Sequence, residues 1–200
     1  MKEESKKDGL FKRAFVTRTQ GFINVSEKAG FWQETAGEFN GVFKTKHTVA
    51  KDMKILFLEL PCGETQVEFT ESDAHPLKIK ATMETKRPFV FYAGQKDFLD
   101  NLLGAFNRNR IKTGDPDFDK NYIVRADDQD SASKIFANDK IRSILLSTGV
   151  YSFVCDYDKQ NSKAKLSCVV NRTVNSKEEL SALFDLFCQT IDEMKALNIV

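Results

Sequence analysis

Three aspartates at alternate positions, Asp115, Asp117 and Asp119, form the densest cluster of groups in the chain that could do chemistry. They lie within residues 113–120, a segment whose glycine and proline favour a tight turn. Carboxylates in such a place can bind a hard cation, act as general acids and bases, or accept hydrogen bonds from the backbone. The residues around the aspartates indicate which of these roles the segment supports.

The alternation of the aspartates matches the first half of a calcium-binding loop, in which oxygens at every second position converge on one ion. The second half does not match, because Lys120 stands where the sharp-turn glycine belongs and Ala126 where the bidentate glutamate belongs. No metal site is therefore predicted. A metal-assisted hydrolase that uses the aspartates of residues 115–119 is kept as the alternative hypothesis.

A structural role explains the same segment. Asp115 is predicted to cap the turn that begins at the following proline, and Phe118 to fill the core. Asp119 is predicted to pair with Arg108 or Arg110, or to accept backbone hydrogen bonds. The same arginines could grip a phosphate or an acidic partner. The candidate ligand-binding residues are Asp115, Asp117, Asp119, Arg108 and Arg110, and no catalytic residue is predicted.

The four cysteines, Cys62, Cys155, Cys168 and Cys188, form no Cys-x-x-Cys pair and have no histidine at metal-ligand spacing. This pattern predicts reduced thiols that pack as small hydrophobic groups. The alternative is a bridge between Cys155 and Cys168, which would lie on the two strands of one hairpin. Neither histidine belongs to a nucleophile motif and no glycine-rich phosphate loop is present, so no cofactor is predicted.

The composition is that of a globular protein. Of the 200 residues, 41% are hydrophobic and 30% are charged, and 17 phenylalanines supply much of the apolar volume that a core needs. The formal net charge is only +1, so no strong positive field surrounds the molecule. A nucleic-acid partner is therefore not expected.

The sequence predicts neither a membrane span nor a signal peptide. No window reaches the roughly 18 uninterrupted apolar residues of a spanning helix. Residues 1–20 mix charges and contain no apolar run of signal-peptide length. We therefore predict a cytoplasmic protein with a flexible tail over residues 1–20.

Hydrophobic periodicity predicts an α+β fold. The predicted helices are one capped by Ser26 and stopped by Gly41, one over residues 96–107, a region over 131–147 that Asn138 divides, and one opened by the capping box of Ser176 and Glu179. The predicted strands cover residues 42–49, 53–60, 65–70, 77–83, 89–92, 121–125, 151–157 and 164–171. An antiparallel meander and a C-terminal hairpin should thus pack against amphipathic helices.

The domain organisation follows from the absence of a linker. No stretch rich in proline, serine or glycine divides the chain, so residues 21–200 are predicted to form a single α+β domain. Strands followed by a helix occur twice, which leaves open two similar subdomains that meet near residues 108–114.

The order of these elements, together with one signature, resembles an uncharacterised bacterial family. The signature is Gly-Asp-x-x-Phe-Asp, formed here by Gly114, Asp115, Phe118 and Asp119, and a strand and an acidic helix start follow it. Many members of that family look membrane-anchored through an added apolar segment, and no such segment is found in this sequence. The resemblance implies a fold type and no catalytic activity.

The leading hypothesis from the sequence is a non-enzymatic module that binds an unidentified small molecule or protein. It is preferred because the sequence contains no nucleophile motif, metal cluster or cofactor loop. The metal-assisted hydrolase is the alternative. A third hypothesis is a subunit that forms a homodimer through exposed aromatic side chains on its sheet.

Overall fold

A computed structural model of the chain describes residues 25–48, 53–72, 75–96 and 110–200. Within these ranges the helices are α1 (Val25–Glu38), α2 (Pro116–Asn121), α3 (Gln129–Ala137), α4 (Asp139–Thr148) and α5 (Lys177–Ala196). The strands are β1 (Val42–Thr48), β2 (Met53–Cys62), β3 (Thr65–Ser72), β4 (His75–Glu84), β5 (Phe91–Gln95), β6 (Arg110–Ile111), β7 (Tyr122–Ala126), β8 (Ser152–Asp158) and β9 (Lys163–Val170). The predicted tail and all but the first residue of the predicted helix over 96–107 lie outside the described residues.

The nine strands pair into one antiparallel sheet with the order β1-β2-β3-β4-β9-β8-β5-β7-β6. Strands β1 to β4 form the predicted meander. The C-terminal hairpin of β8 and β9 inserts between β4 and β5, with Ile79 opposite Cys168 and Ala93 opposite Phe153. This hairpin therefore joins the meander to the remaining strands, and the predicted α+β fold class is confirmed.

Burial alternates along β3 and β4, which gives this part of the sheet a covered face and an open face. On β4 the side chains of Leu77, Ile79 and Ala81 are buried, whereas those between them are exposed. Helix α5 packs on the covered face, where Phe187 meets Phe153 of β8 edge to face at a centroid distance of 5.6 Å. Burial of one such side chain contributes about 1.5 to 3 kcal/mol. The apolar stripe of α5 therefore packs across the hairpin, as predicted.

Helix α1 covers the meander. Its Trp32 is fully buried, as predicted for the single tryptophan. One turn earlier, Lys28 Nζ forms an ion pair with Glu71 Oε1 of β3 at 2.6 Å, and the two side chains are only 5% and 0% exposed. A buried pair of this kind fixes the position of the helix, because loss of one partner would leave a charge without its counter-charge.

The predicted boundaries of α1 are correct at one end. The helix ends at Glu38, and Gly41 follows because a Cβ there would collide with the backbone of Glu59 and the side chain of Leu60. At the other end the helix already includes Val25, so Ser26 lies inside it and not at the predicted cap.

Three further elements differ from the sequence prediction. Residues 116–121 form helix α2 where only a turn was predicted, because a proline in its first turn and a capping aspartate suffice for a short helix. Strand β6 was not predicted, since two residues are too few to show a period. Strand β5 lies a few residues later than predicted.

The prediction that all cysteines are reduced is wrong for one pair. Cys62, where β2 ends, and Cys188 of α5 are joined in a disulfide, with their Cα atoms 5.8 Å apart and 126 positions apart in sequence. Cys155 and Cys168 are free and buried. They form no bridge, because the hairpin register places Cys155 opposite Leu166 and not opposite Cys168.

Candidate functional site

The aspartate segment begins with Asp115, which caps helix α2. Its Oδ1 accepts hydrogen bonds from the backbone N–H groups of Asp117 at 3.0 Å and Phe118 at 3.1 Å. Its Oδ2 lies 3.2 Å from Nε of Arg142 on α4. The backbone hydrogen bond from Phe118, followed by the interactions with Arg142, lowers the pKa of this carboxyl. The predicted capping role of Asp115 is confirmed.

Asp119 closes the turn that precedes the helix. Its Oδ1 accepts hydrogen bonds from the backbone and the hydroxyl group of Thr113, at 3.0 and 3.1 Å, and its Oδ2 accepts one from Gly114 N at 3.3 Å. Arg110 donates to the backbone carbonyl of Asp119, at 3.1 Å. The carboxylate therefore accepts backbone hydrogen bonds, one of its two predicted structural roles.

The remaining candidates are not brought into this arrangement. Asp117 is exposed, and its carboxylate has no hydrogen bond or ion pair with a described residue. Arg108 lies outside the described residues. No group of three or more metal-ligating side chains occurs within residues 25–48, 53–72, 75–96 and 110–200. Ligand binding by the predicted set of five residues stays a prediction.

Phe118 connects the segment to the core. Its side chain is fully buried and stacks on Tyr122, with ring centroids 5.0 Å apart and planes inclined by 6°. Phe136 of α3 lies on the same cluster, at a centroid distance of 6.2 Å. The predicted core position of Phe118 is confirmed, and the ring fixes the place where α2 ends and β7 begins.

A pocket of about 430 Å³ opens at this junction. It is referred to as the Tyr122 pocket and is lined by Gln95, Lys96, Lys120, Asn121, Tyr122, Leu146 and Gly149. Four places in the chain meet here: the end of β5, the end of α2, the start of β7 and the end of α4. Gln95 and Tyr122 are directly opposite each other in the sheet. The volume lies within the range of about 300 to 1,000 Å³ that small-molecule sites occupy.

The floor of the pocket is held in place by Tyr122. Its hydroxyl group lies within hydrogen-bond distance of two backbone carbonyls, 2.7 Å from Leu145 O and 2.6 Å from Val150 O. Burial raises the pKa of this phenol, so the group stays protonated and serves as a donor. Tyr122 is therefore a positioning residue for the end of α4 and no candidate for a general base.

The carbonyls at the end of α4 have donors from elsewhere in the fold. Gln95 Nε2 donates to Gly149 O at 3.3 Å, and Arg172 Nε donates to Thr148 O at 3.0 Å. These two carbonyls therefore already have hydrogen-bond donors within the protein. The strongest donors that the pocket offers to a ligand are the ammonium groups of Lys96 and Lys120. Both lysines are exposed, and neither forms an ion pair with a described residue.

The charge and shape of the pocket favour an anionic ligand. None of the described lining residues carries a carboxylate side chain, so none of them supplies a counter-charge to the two ammonium groups. Lysine binds carboxylate and phosphate groups as a point charge. The C-terminal end of a helix usually attracts cations, but at the end of α4 the carbonyls of Thr148 and Gly149 already accept hydrogen bonds from protein groups. The arrangement can bind and orient an anion, and its described lining residues include no cysteine, serine or threonine.

The pocket carries no local signal in the sequence. Its lining residues come from separate segments and share no motif or spacing. Lys120 and Asn121 directly follow the aspartates, so the signature is adjacent to the pocket in sequence. None of the signature residues themselves lines the pocket. A signal that could have helped is the pair Gln95 and Lys96 at the end of an apolar strand, where polar side chains often line a site.

Comparison with known proteins supports the fold but gives no identity. No protein-family model matches the chain, and no curated protein matches it. The resemblance through the Gly-Asp-x-x-Phe-Asp signature therefore stays a prediction. Among solved structures, the chain is similar to the mycobacterial trehalose monomycolate transport factor A, TtfA, with a TM-score of 0.54 and 8% sequence identity. The match covers 89% of this chain and 99% of that one, and at this identity it shows the fold alone.

Proposed function

We propose that the chain is a non-enzymatic binding module that holds an anionic group of a small molecule in the Tyr122 pocket. The observation that carries the proposal is the pair of exposed lysines, Lys96 and Lys120, at a pocket of about 430 Å³ whose described lining residues include no acidic side chain. The ligand class is therefore a carboxylate or phosphate compound of modest size.

The site is suited to binding rather than to chemistry. The buried tyrosine at its floor is a fixed donor to backbone carbonyls, so it does not exchange protons with a ligand. The two free cysteines, Cys155 and Cys168, are buried elsewhere in the sheet, and burial raises the pKa of the Cys155 thiol to about 12. Neither thiol is poised to act as a nucleophile at neutral pH.

The hydrolase alternative has less support. Two of its three aspartates, Asp115 and Asp119, already accept backbone hydrogen bonds, and the third is exposed on the outer side of α2. Arg142 also lies 3.2 Å from the Asp115 carboxylate, and its positive charge opposes the binding of a cation there. The similar fold of TtfA, a trehalose monomycolate transport factor, agrees with a role other than catalysis.

The location of the protein is a separate part of the proposal. Among the described residues no helix combines the length and the apolar character needed to cross a membrane. The predicted cytoplasmic location is opposed by the disulfide between Cys62 and Cys188, because such bonds persist mainly in oxidising compartments. We therefore favour an oxidising compartment. Finding both cysteines alkylated in protein trapped with iodoacetamide directly in its native cells would restore the cytoplasmic prediction.

Thermal melts test the pocket. Inorganic phosphate, citrate and glycerol phosphate serve as anionic probes, and choline of matched ionic strength serves as the cationic control. A probe present at a hundred times its dissociation constant stabilises the folded state by about 2.7 kcal/mol. At least one anionic probe should raise the melting temperature of the unmodified protein, whereas choline should not.

A matched pair of variants locates the effect. Lys96→Gln combined with Lys120→Gln should remove most of the stabilisation. Lys134→Gln combined with Lys159→Gln changes the net charge by the same amount at two exposed lysines away from the pocket and should leave the effect intact. Equal losses in the two double variants, or no stabilisation by any anionic probe, would reject the proposal. Stabilisation by magnesium or calcium that Asp117→Ala abolishes would favour the hydrolase instead.

A further inference from the structure

The edge of the sheet at β1 is a second candidate for binding, on a part of the fold distant from the Tyr122 pocket. Strand β1 is the first in the sheet order, and β2 is its one strand neighbour among the described residues. In an antiparallel edge strand, alternate residues direct their N–H and C=O groups away from the neighbour. Those groups can pair with one further extended chain.

Residues 44–47 of the strand are accessible on both faces of the sheet, and no described strand pairs with their outer edge. The four consecutive residues 44–47 are all exposed, and consecutive side chains of a strand point to opposite faces. Val42 is 48% exposed, and it is the one large hydrophobic residue among those described that is classed as exposed. An added strand would therefore cover apolar surface at one end of β1.

The charge of the edge is positive. Lys44 and Lys46 lie on the open face of the sheet, and β1 contains no acidic residue. Lys44 lies 3.8 Å from Glu59 of β2, but both side chains are about half exposed, so this pair is weak. Lys46 Nζ lies over the ring of Phe57, 5.0 Å from its centroid, and keeps its charge available at the surface.

These lysines disfavour a second copy of the chain as the partner. Antiparallel pairing of β1 with itself, centred on Thr45, would place each Lys44 directly opposite Lys46 of the other copy. Like charges directly opposite each other destabilise a strand pair, and lysine on an edge strand commonly prevents edge-to-edge association. A partner with carboxylates at those positions would be attracted to the two lysines and not repelled by them.

We propose that β1 is a docking edge for an extended acidic peptide segment of another protein, which adds a tenth strand to the sheet. In antiparallel pairing, two acidic residues at alternate positions lie opposite Lys46 and Lys44, and an apolar residue two positions later lies opposite Val42. The recognition pattern read along the partner is thus acidic-x-acidic-x-apolar. Backbone hydrogen bonds supply affinity and the two ion pairs supply selectivity.

Labelled peptides and fluorescence anisotropy test this proposal. The probes are Thr-Glu-Thr-Glu-Thr-Val-Thr, its counterpart with lysines in place of the glutamates, and a version of the first with proline between the glutamates. The first peptide should bind and the other two should not, because the lysines repel the edge and proline cannot pair as a strand. Lys44→Glu combined with Lys46→Glu should weaken the first peptide about tenfold or more and allow the lysine peptide to bind.

The control is Lys78→Glu combined with Lys80→Glu, which makes the same reversal at alternate exposed positions of the interior strand β4. This control should leave binding unchanged. Equal loss in the control, equal binding of the proline peptide, or absence of binding at millimolar concentration would overturn the proposal. A dimer in sedimentation experiments that disappears in the β1 double variant would also overturn it and would identify a second copy as the occupant.

Discussion

At the scale of single residues, Phe118 and not an aspartate is the residue that ties the signature segment to the core. The ring is fully buried and stacks on Tyr122, whereas the Asp117 side chain is exposed and forms no hydrogen bond or ion pair with a described residue. Phe118→Ala should lower the free energy of unfolding by about 3 to 5 kcal/mol, because it removes a buried ring and leaves a cavity. Urea denaturation followed by circular dichroism measures this change.

The matched variant is Asp117→Ala in the same helix. It should change the free energy of unfolding by no more than about 0.5 kcal/mol, as exposed substitutions usually do. If instead Asp117→Ala were costly and Phe118→Ala harmless, the structural account of this segment would be wrong and a functional role for the aspartate would return.

At the scale of elements, the start of α3 shows how a cap makes stability depend on pH. Asp128 accepts hydrogen bonds from the backbone and hydroxyl group of Ser131 at 3.0 and 2.7 Å, and lies 2.8 Å from Arg87. These contacts, the backbone hydrogen bond first, lower the pKa of the Asp128 carboxyl to about 2. An aspartate in an unfolded chain titrates near about 3.9.

The sign of the dependence follows from the lowered pKa. Stabilisation by the carboxylate is fully present above about pH 4 and is lost as the pH falls through about 2. Asp128→Asn should therefore lower the urea midpoint at pH 7, and its difference from the unmodified protein should shrink towards pH 2. A difference of the same size at both pH values would show that the charge is not the cause.

The elements that the sequence predicted well are those whose own residues show a local pattern of capping or hydrophobic periodicity. Helix α5 has an apolar stripe and a capping box, in which Ser176 Oγ accepts from Glu179 N at 3.2 Å and the Glu179 carboxylate accepts from Asn175 N at 3.0 Å. The β8 and β9 hairpin alternates apolar and polar residues on both arms. Helix α2 and strand β6 carry too few residues for a period, so only their contacts define them.

At the scale of the whole molecule, one disulfide bond closes a loop that contains more than half of the chain. The disulfide joins Cys62 and Cys188 across 126 positions, so it restricts the unfolded state strongly. Reduction should lower the free energy of unfolding by about 2 to 4 kcal/mol. The urea midpoint should fall on addition of dithiothreitol, and Cys62→Ser combined with Cys188→Ser should abolish that response.

A thiol count provides the control for this prediction. Protein purified from an oxidising compartment and unfolded without reductant should react with two equivalents of thiol reagent, from Cys155 and Cys168. The folded protein should react far more slowly, because both thiols are buried and burial raises their pKa. Four reactive thiols in the unreduced unfolded protein would show that the bridge is absent.

The disulfide and the Tyr122 pocket could not be predicted from the sequence, for the same physical reason. Each is formed by residues that are distant in sequence: the pairing of β5 with β7 forms the pocket, and the packing of α5 beside the end of β2 brings the two cysteines together. Local periodicity predicts single elements, whereas the order of strands depends on packing between segments that are distant in sequence. The aspartate segment was predictable because its capping contacts lie within six residues of each other.

The most direct test of the central claim is a titration of the isotope-labelled protein with inorganic phosphate, followed in proton-nitrogen correlation spectra. Binding in the Tyr122 pocket predicts saturable shifts of the backbone amides of Gln95, Lys96, Asn121 and Gly149, with β1 and the Asp117 amide unaffected. Shifts that do not saturate, or that concentrate on the aspartate segment or on β1 and leave the pocket unchanged, would contradict the claim that this pocket is the binding site for an anion.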